Sequence, residues 1–145
     1  MAEAAFQMSP EQIEAFLEAP RHAIAAALRG DGTAQMSPVW YLYEEGRLYF
    51  SMLVATARYR QLRRDPRIAL CIDGGHPDAR FVALYGVAEV VEEESPWRDD
   101  IAWRIVRRYS DSDEEARSWQ AEVAARGRQA LVVVTPERIL GRDYN

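Results

Sequence analysis

Hydrophobic residues recur at helical spacing in four segments, and each segment opens with a serine or threonine that can cap a helix. The four predicted N-caps are Ser9, Thr56, Ser95 and Ser112. Proline follows the first and third of them directly, at the position where a helix tolerates it best. Pro20 ends the first predicted helix, and Asp65 with Pro66 ends the second, because the residue before a proline avoids helical backbone.

Between these helices, β-prone residues form runs that end at glycine-containing turns. Asp31-Gly32 and Glu45-Gly46 predict two tight turns, so we expect the first three strands to pair as a meander. Gly86 interrupts the longest run and indicates a bulge or bend. The last strand is expected to end before Thr135, where a polar tail begins. The six predicted strands span residues 22–28, 35–43, 47–52, 68–72, 81–91 and 129–134.

Strands joined mostly by short turns exclude a doubly wound parallel sheet, whose strands need long crossover connections. The expected fold class is therefore mainly β, an antiparallel barrel with flanking helices. A length of 145 residues, 48% of them hydrophobic, fits one domain over residues 1–145 that needs no disulfide or metal to be stable. Cys71 stands alone in an apolar run, which favours a small core residue and a reducing compartment.

Charge and composition limit which partners, compartments and reactions are expected for this chain. The formal charge of −5 disfavours nonspecific nucleic-acid binding, which needs an excess of basic side chains. Neither a basic leader with an apolar stretch nor a run long enough to cross a bilayer occurs, so we expect a cytoplasmic protein without membrane contact. The absence of lysine excludes Schiff-base chemistry. His22 and His76 are far apart and lack a cysteine cluster, so no metal site is expected.

The strongest candidate site lies where a predicted strand runs into a helix, between Ser51 and Pro66. Hydroxyls and arginines gather there beside the free amides of a helix N-terminus, an arrangement that favours a bound phosphate. The alternative is that these arginines form only the solvated face of a short helix. The side chains in question are Arg58, Arg60, Arg63 and Arg64.

Several segments resemble the pyridoxamine-phosphate-oxidase-like superfamily, and in particular its small flavin and deazaflavin oxidoreductases. They are residues 23–25, 30–32, 36–41, 48–51, 56–67 and 138–141. The resemblance implies a six-stranded antiparallel split barrel of the FMN-binding type. It also implies a homodimer whose cofactor, FMN or the deazaflavin coenzyme F-420, lies at the subunit interface. The use of arginine without any lysine is typical of GC-rich organisms in which the deazaflavin occurs.

The resemblance also implies roles for individual residues. Cofactor-phosphate positions correspond to Ser51, Thr56, Arg58 and Gln61, with Arg60 as a helper, and ring positions to Ser37, Pro38 and Val39. Arg58 replaces the lysine that is common in relatives and Gln61 replaces an asparagine, yet each remains a hydrogen-bond donor.

The expected function is an oxidoreductase that transfers hydride or electrons to a small conjugated or quinone-like acceptor. No catalytic group is assigned, because the cofactor carries the difficult chemistry. The alternative is a non-enzymatic protein that carries or senses a flavin-like ligand.

Overall fold

The computed structural model describes residues 2–145, with side chains from residue 4 onward. This part of the chain forms four α-helices and seven strands. A 3-10 turn, Ala2–Phe6, precedes helices α1 Pro10–Glu18, α2 Ala57–Arg64, α3 Pro96–Arg108 and α4 Asp113–Arg126. The strands are β1 Ala23–Leu28, β2 Ala34–Val39, β3 Leu42–Glu44, β4 Arg47–Leu53, β5 Arg67–Asp73, β6 Arg80–Val91 and β7 Gln129–Asp143. They form one antiparallel sheet in the order β2-β1-β5-β6-β7-β4-β3.

The two outermost strands in that order, β2 and β3, are joined by only Trp40 and Tyr41. So short a link forces the sheet to curve until its two edges meet, which makes the fold a split β-barrel. The predicted fold class is thus confirmed, although the strands number seven in the described chain and not six. The difference arises because the predicted strand 35–43 is two strands on opposite edges of the sheet.

Both strand pairings of the predicted meander are confirmed, but the link divides its middle strand into two. β2 pairs with β1 and β3 pairs with β4, whereas β4 takes β7 as its other neighbour. Tyr41 is fully buried, and its hydroxyl donates to the backbone oxygens of Leu17 at 3.0 Å and Ala19 at 3.2 Å. This anchor holds the link against the end of α1 and lets the chain cross between the two sheet edges.

All four predicted N-caps are confirmed. Ser9 forms a complete capping box with Gln12. Ser112 accepts from the Glu115 amide at 3.1 Å, but the Glu115 carboxylate accepts from Asp111 rather than from the cap residue itself. The predicted second capping box is therefore only half formed.

The last strand runs to Asp143, so the predicted end before Thr135 is wrong. The bulge expected at Gly86 accounts for the difference: the register with β7 shifts between Tyr85 and Gly86, and Pro136 lies opposite the glycine. A Cβ at Gly86 would lie 2.2 Å from the Thr135 backbone oxygen. Proline is tolerated in a strand at such a bulge because it removes a ladder donor where pairing is already interrupted.

The outer surface of the barrel has two halves. Over β3, β4 and β7, here called the covered half, Ile101 and Ile105 of α3 pack on an apolar layer. That layer consists of Leu42, Tyr49, Leu131 and Val133. Over β2, β1, β5 and β6, here called the open half, large apolar side chains face outward without a helix above them. They are Ile24, Met36, Tyr85 and Val87.

Cys71 also lies on the open half, so the expectation of a core cysteine is wrong. The alternating burial along β5 places its neighbours Leu70 and Ile72 inside and the thiol outside. No helix of the described residues is long and apolar enough to span a membrane.

Candidate cofactor site

A pocket of about 400 Å³ lies where the ends of β2 and β4 meet the start of α2, beneath the α3–α4 pair. Five of the eight predicted site residues line it together: Pro38, Val39, Ser51, Thr56 and Arg58. They come from three elements that the barrel brings side by side.

Arg58 gives the pocket its electrostatic character. Its Nε is buried and has no hydrogen-bond partner among the described residues, and its guanidinium carbon lies 5.6 Å from the centre of the Phe50 ring. Among residues 4–145, no carboxylate lies within 4.0 Å of this guanidinium. Burial lowers the pKa of Arg58, although arginine remains a cation at any physiological pH. A partly buried cation without an anion is costly, so the geometry favours an anionic ligand here.

The start of α2 adds backbone donors to the same place. The Thr56 hydroxyl donates to the Leu53 backbone oxygen at 2.8 Å and accepts from the Tyr59 amide at 3.3 Å, so it is already engaged as the N-cap. The amides of Ala57 and Arg58 belong to the first turn and have no intrahelical acceptor. No acidic residue occupies that turn, which leaves the positive end of the helix dipole available to an anion.

The other three predicted residues do not line the pocket. Ser37 lies opposite Ala25 in the β1–β2 ladder, and Arg60 is exposed. Gln61 is only 8% exposed. Its amide donates to the side-chain oxygen of Gln35, and its own Oε1 is buried without a partner in the part of the chain that the structure describes. In this position Gln61 ties α2 to β2. The cofactor-binding roles of these three residues stay predictions.

An aromatic wall forms where Trp40 meets two rings from distant parts of the sequence. Trp40 donates from Nε1 to Nε2 of His22 at 3.3 Å and stacks on Tyr109, with ring centres 4.9 Å apart and planes within 4°. Trp119 of α4 lies 5.0 Å from the Trp40 ring. Nothing local in the sequence signals that Trp119 of α4 reaches the β2–β3 link.

The α3–α4 pair supplies six further lining residues. Ala102, Ile105 and Val106 come from α3, and Gln120, Val123 and Arg126 come from α4. The pocket therefore has a cationic end at Arg58 and a mostly apolar, aromatic body, which suits a planar ring system with an anionic substituent.

Comparison with known proteins agrees with this geometry. The sequence model of the pyridoxamine 5'-phosphate oxidase family matches residues 9–143. The chain belongs to this family. The match takes in every strand and all the residues that line the pocket.

Solved structures share the fold. The conserved hypothetical protein Rv2991 from Mycobacterium tuberculosis is 25% identical, with a TM-score of 0.79 over 97% of this chain and 88% of that one. An F420 reductase is 20% identical, with a TM-score of 0.69 over 90% of this chain and 98% of its own. The heme storage protein HutZ from Vibrio cholerae is 14% identical, with a TM-score of 0.70 over 92% and 94% of the two chains. The fold therefore occurs in proteins with different ligands.

Proposed function

We propose that this chain is an oxidoreductase that binds a deazaflavin, coenzyme F-420, or FMN in the pocket between β2, β4 and α2. The observation that carries the proposal is Arg58, a partly buried cation whose Nε has no partner among the described residues, beside the free first-turn amides of α2. Both cofactors carry a phosphate and a planar tricyclic ring. The cationic end of the pocket matches the phosphate, and its apolar, aromatic body matches the ring. The F420 reductase of the same fold supports this assignment.

The residues of this chain bind and orient the cofactor. Arg58 and the first-turn amides of α2 hold the phosphate, while Pro38 and Val39 contact the ring and the aromatic wall excludes water. When bound, the cofactor supplies hydride or electrons to a small conjugated or quinone-like acceptor.

The working unit in this proposal is a homodimer formed through the open half. A contiguous apolar surface of this kind marks an interaction site. This surface extends across four neighbouring strands. Ile24 lies between Pro38 and Cys71 in the sheet, and Cys71 in turn pairs with Ala83. Pro38 also lines the cofactor pocket, so a second copy seated on the open half would reach the mouth of that pocket.

The test is a pair of fluorescence titrations of the purified protein, one with coenzyme F-420 and one with FMN. Arg58→Ala should weaken binding of the preferred cofactor by about 1.5 to 3 kcal/mol, the range for a lost charge-assisted hydrogen bond. Arg63→Ala is the matched control, because Arg63 lies on the same helix but is paired with Glu92 outside the pocket. It should leave the dissociation constant nearly unchanged.

Binding of neither cofactor by the wild-type protein would overturn the proposal. An unchanged dissociation constant for Arg58→Ala would place the anion elsewhere. Tight binding without reduction of any acceptor in a broad panel would instead make the chain a cofactor carrier or sensor.

A further inference from the structure

A second arginine, Arg126 of α4, lines the cofactor pocket and takes no part in the phosphate contact at Arg58. It is exposed, and its guanidinium carbon lies 5.8 Å from the centre of the Trp119 ring, which lines the same pocket. Among residues 4–145, no carboxylate lies within 4.0 Å of its side-chain nitrogens. Arg126 is therefore a cation at the mouth of the pocket without an anion of its own.

The pairing of β4 with β7 brings the end of α4 close to the start of α2. The Val54 amide donates to the backbone oxygen of Arg128 at 2.9 Å. Val54 lies two residues before the N-cap of α2, and Arg128 lies two residues after the end of α4. This junction explains why Arg58 and Arg126, which are far apart in the sequence, line one pocket from two different helices.

Two other arginines near this junction already have an acidic partner. Glu92 accepts from Arg63 of α2 and from Nη2 of Arg128, the latter at 3.1 Å. One carboxylate thus neutralises part of the charge of both, and it lies outside the pocket. The cations that remain for a ligand in the pocket are Arg58 and Arg126.

The pocket is positively charged although the chain as a whole is acidic. Its lining, within the part of the chain that the structure describes, contains these two arginines and no aspartate or glutamate. The whole chain, in contrast, has a formal charge of −5. A cleft lined by one sign of charge attracts ligands of the opposite sign. A ligand with two separated anionic groups can pair with both guanidinium groups, whereas a single small anion at Arg58 leaves Arg126 unpaired.

We propose that Arg126 is a specificity-determining residue, which binds a second anionic group of the ligand and so selects coenzyme F-420 over FMN. FMN ends in its phosphate, whereas F-420 continues beyond its phosphate into a tail that carries carboxylates. The Arg126 guanidinium donates hydrogen bonds to a tail carboxylate while Arg58 binds the phosphate. This inference rests on the proposed function, because it names which of the two cofactors the same pocket takes.

The experiment measures the dissociation constants of F-420 and FMN by fluorescence titration, for the wild type and for Arg126→Gln, at low and high salt. Arg126→Gln should bind F-420 about 3-fold to 10-fold more weakly, a modest loss because Arg126 is exposed to solvent. Its affinity for FMN should change by less than about 2-fold, because the contact at Arg58 is independent. The loss of F-420 affinity should shrink at high salt, which screens exposed charges.

Two controls separate a specific contact from a general effect. Arg117→Gln removes the same charge from an exposed position of the same helix that does not line the pocket, so both dissociation constants should stay unchanged. The deazaflavin nucleoside, which lacks both the phosphate and the tail, should bind Arg126→Gln as tightly as it binds the wild type. A weaker affinity for this nucleoside would show that Arg126 only supports the Trp119 wall, and would overturn the inference.

Three further results would overturn the inference and leave the proposed function standing. They are an unchanged F-420 affinity in Arg126→Gln, equal losses of F-420 and FMN affinity in that variant, and tighter binding of FMN than of F-420 by the wild type. Arg58→Ala tests the proposed function separately. Binding of neither cofactor by the wild-type protein would overturn both proposals.

Discussion

Both halves of the barrel's outer surface carry apolar side chains, but those of the covered half are buried and those of the open half are exposed. On the covered half, Leu131 is 1% exposed and Tyr49 is 7% exposed under α3. On the open half, Ile24 is 39% exposed and Met36 is 67% exposed. An apolar strand surface therefore does not by itself show whether it is buried within the subunit or left exposed. What decides is whether the chain supplies its own helix to cover that surface.

The largest effect is expected from placing a charge on the open half. Ile24→Glu should weaken the proposed dimer by about 3 to 5 kcal/mol, because two carboxylates would be buried across a symmetric interface. Sedimentation velocity over a concentration series measures this. Ala121→Glu, at an exposed position of α4, introduces the same charge elsewhere and should leave the association unchanged. A wild-type protein that sediments as a monomer would refute the interface.

Removing volume from the covered half should weaken folding instead. Ile105→Ala leaves a cavity under α3, where the side chain is 2% exposed, and should cost about 2 to 4 kcal/mol of unfolding free energy. Urea denaturation at low protein concentration checks this. Ile24→Ala, the same substitution on the open half, should cost less than about 1 kcal/mol under those conditions. Equal losses at both positions would contradict the distinction between the halves.

The link between the halves should make the fold sensitive to alkali. Burial raises the pKa of Tyr41 to about 12 from its ordinary value of 10.0, so the folded state favours the neutral phenol. Its stabilising contribution is complete below pH 10 and is lost as the pH rises through 12.

Tyr41→Phe should remove on the order of 2 kcal/mol of pH-dependent unfolding free energy over this window. The measurement is urea denaturation at a series of alkaline pH values. Tyr85→Phe, exposed on the open half, is the control and should keep the wild-type slope. A Tyr41→Phe slope equal to that of the wild type would show that another group titrates there.

The smallest effect concerns Cys71 on the open half. Partial burial raises the pKa of its thiol, with a further contribution from Asp73, so it should react slowly with a disulfide reagent at neutral pH. If a second copy covers this surface, the labelling rate should fall a few-fold as protein concentration increases. Protein unfolded in urea gives the unprotected rate. A constant rate across concentrations at which a dimer sediments would mean that the interface lies elsewhere.

Local signals in the sequence predict much of the fold. Caps such as Ser9 and Ser95 can be identified because each helix start depends on a few neighbouring residues. Gly86 indicates a bulge because a glycine weakens the interior of a strand and commonly lies where two backbones approach closely. The position of Arg58 near a helix N-terminus can be predicted because strand, cap and helix follow each other directly.

The remaining features depend on contacts between distant segments. Tyr41 resembles any other strand residue until α1 is present to accept from its hydroxyl. The aromatic wall requires Trp119, which lies far from Trp40 in the sequence. Gln61 lies one helical turn after Arg58, on the same side of α2, yet its amide donates to Gln35 of β2, a contact between distant segments that the local sequence does not reveal.

The position of β7 has a consequence for how the protein folds as it is made. This strand pairs with β6 on one side and β4 on the other, and Ser51 meets Leu131 across 80 residues of chain. Because such distant pairing carries a large loop-closure cost, we expect folding to be slow compared with helical proteins of this size. A ribosome-bound chain that has not yet reached Gln129 exposes two unpaired strand edges, which are sites for aggregation and for chaperones.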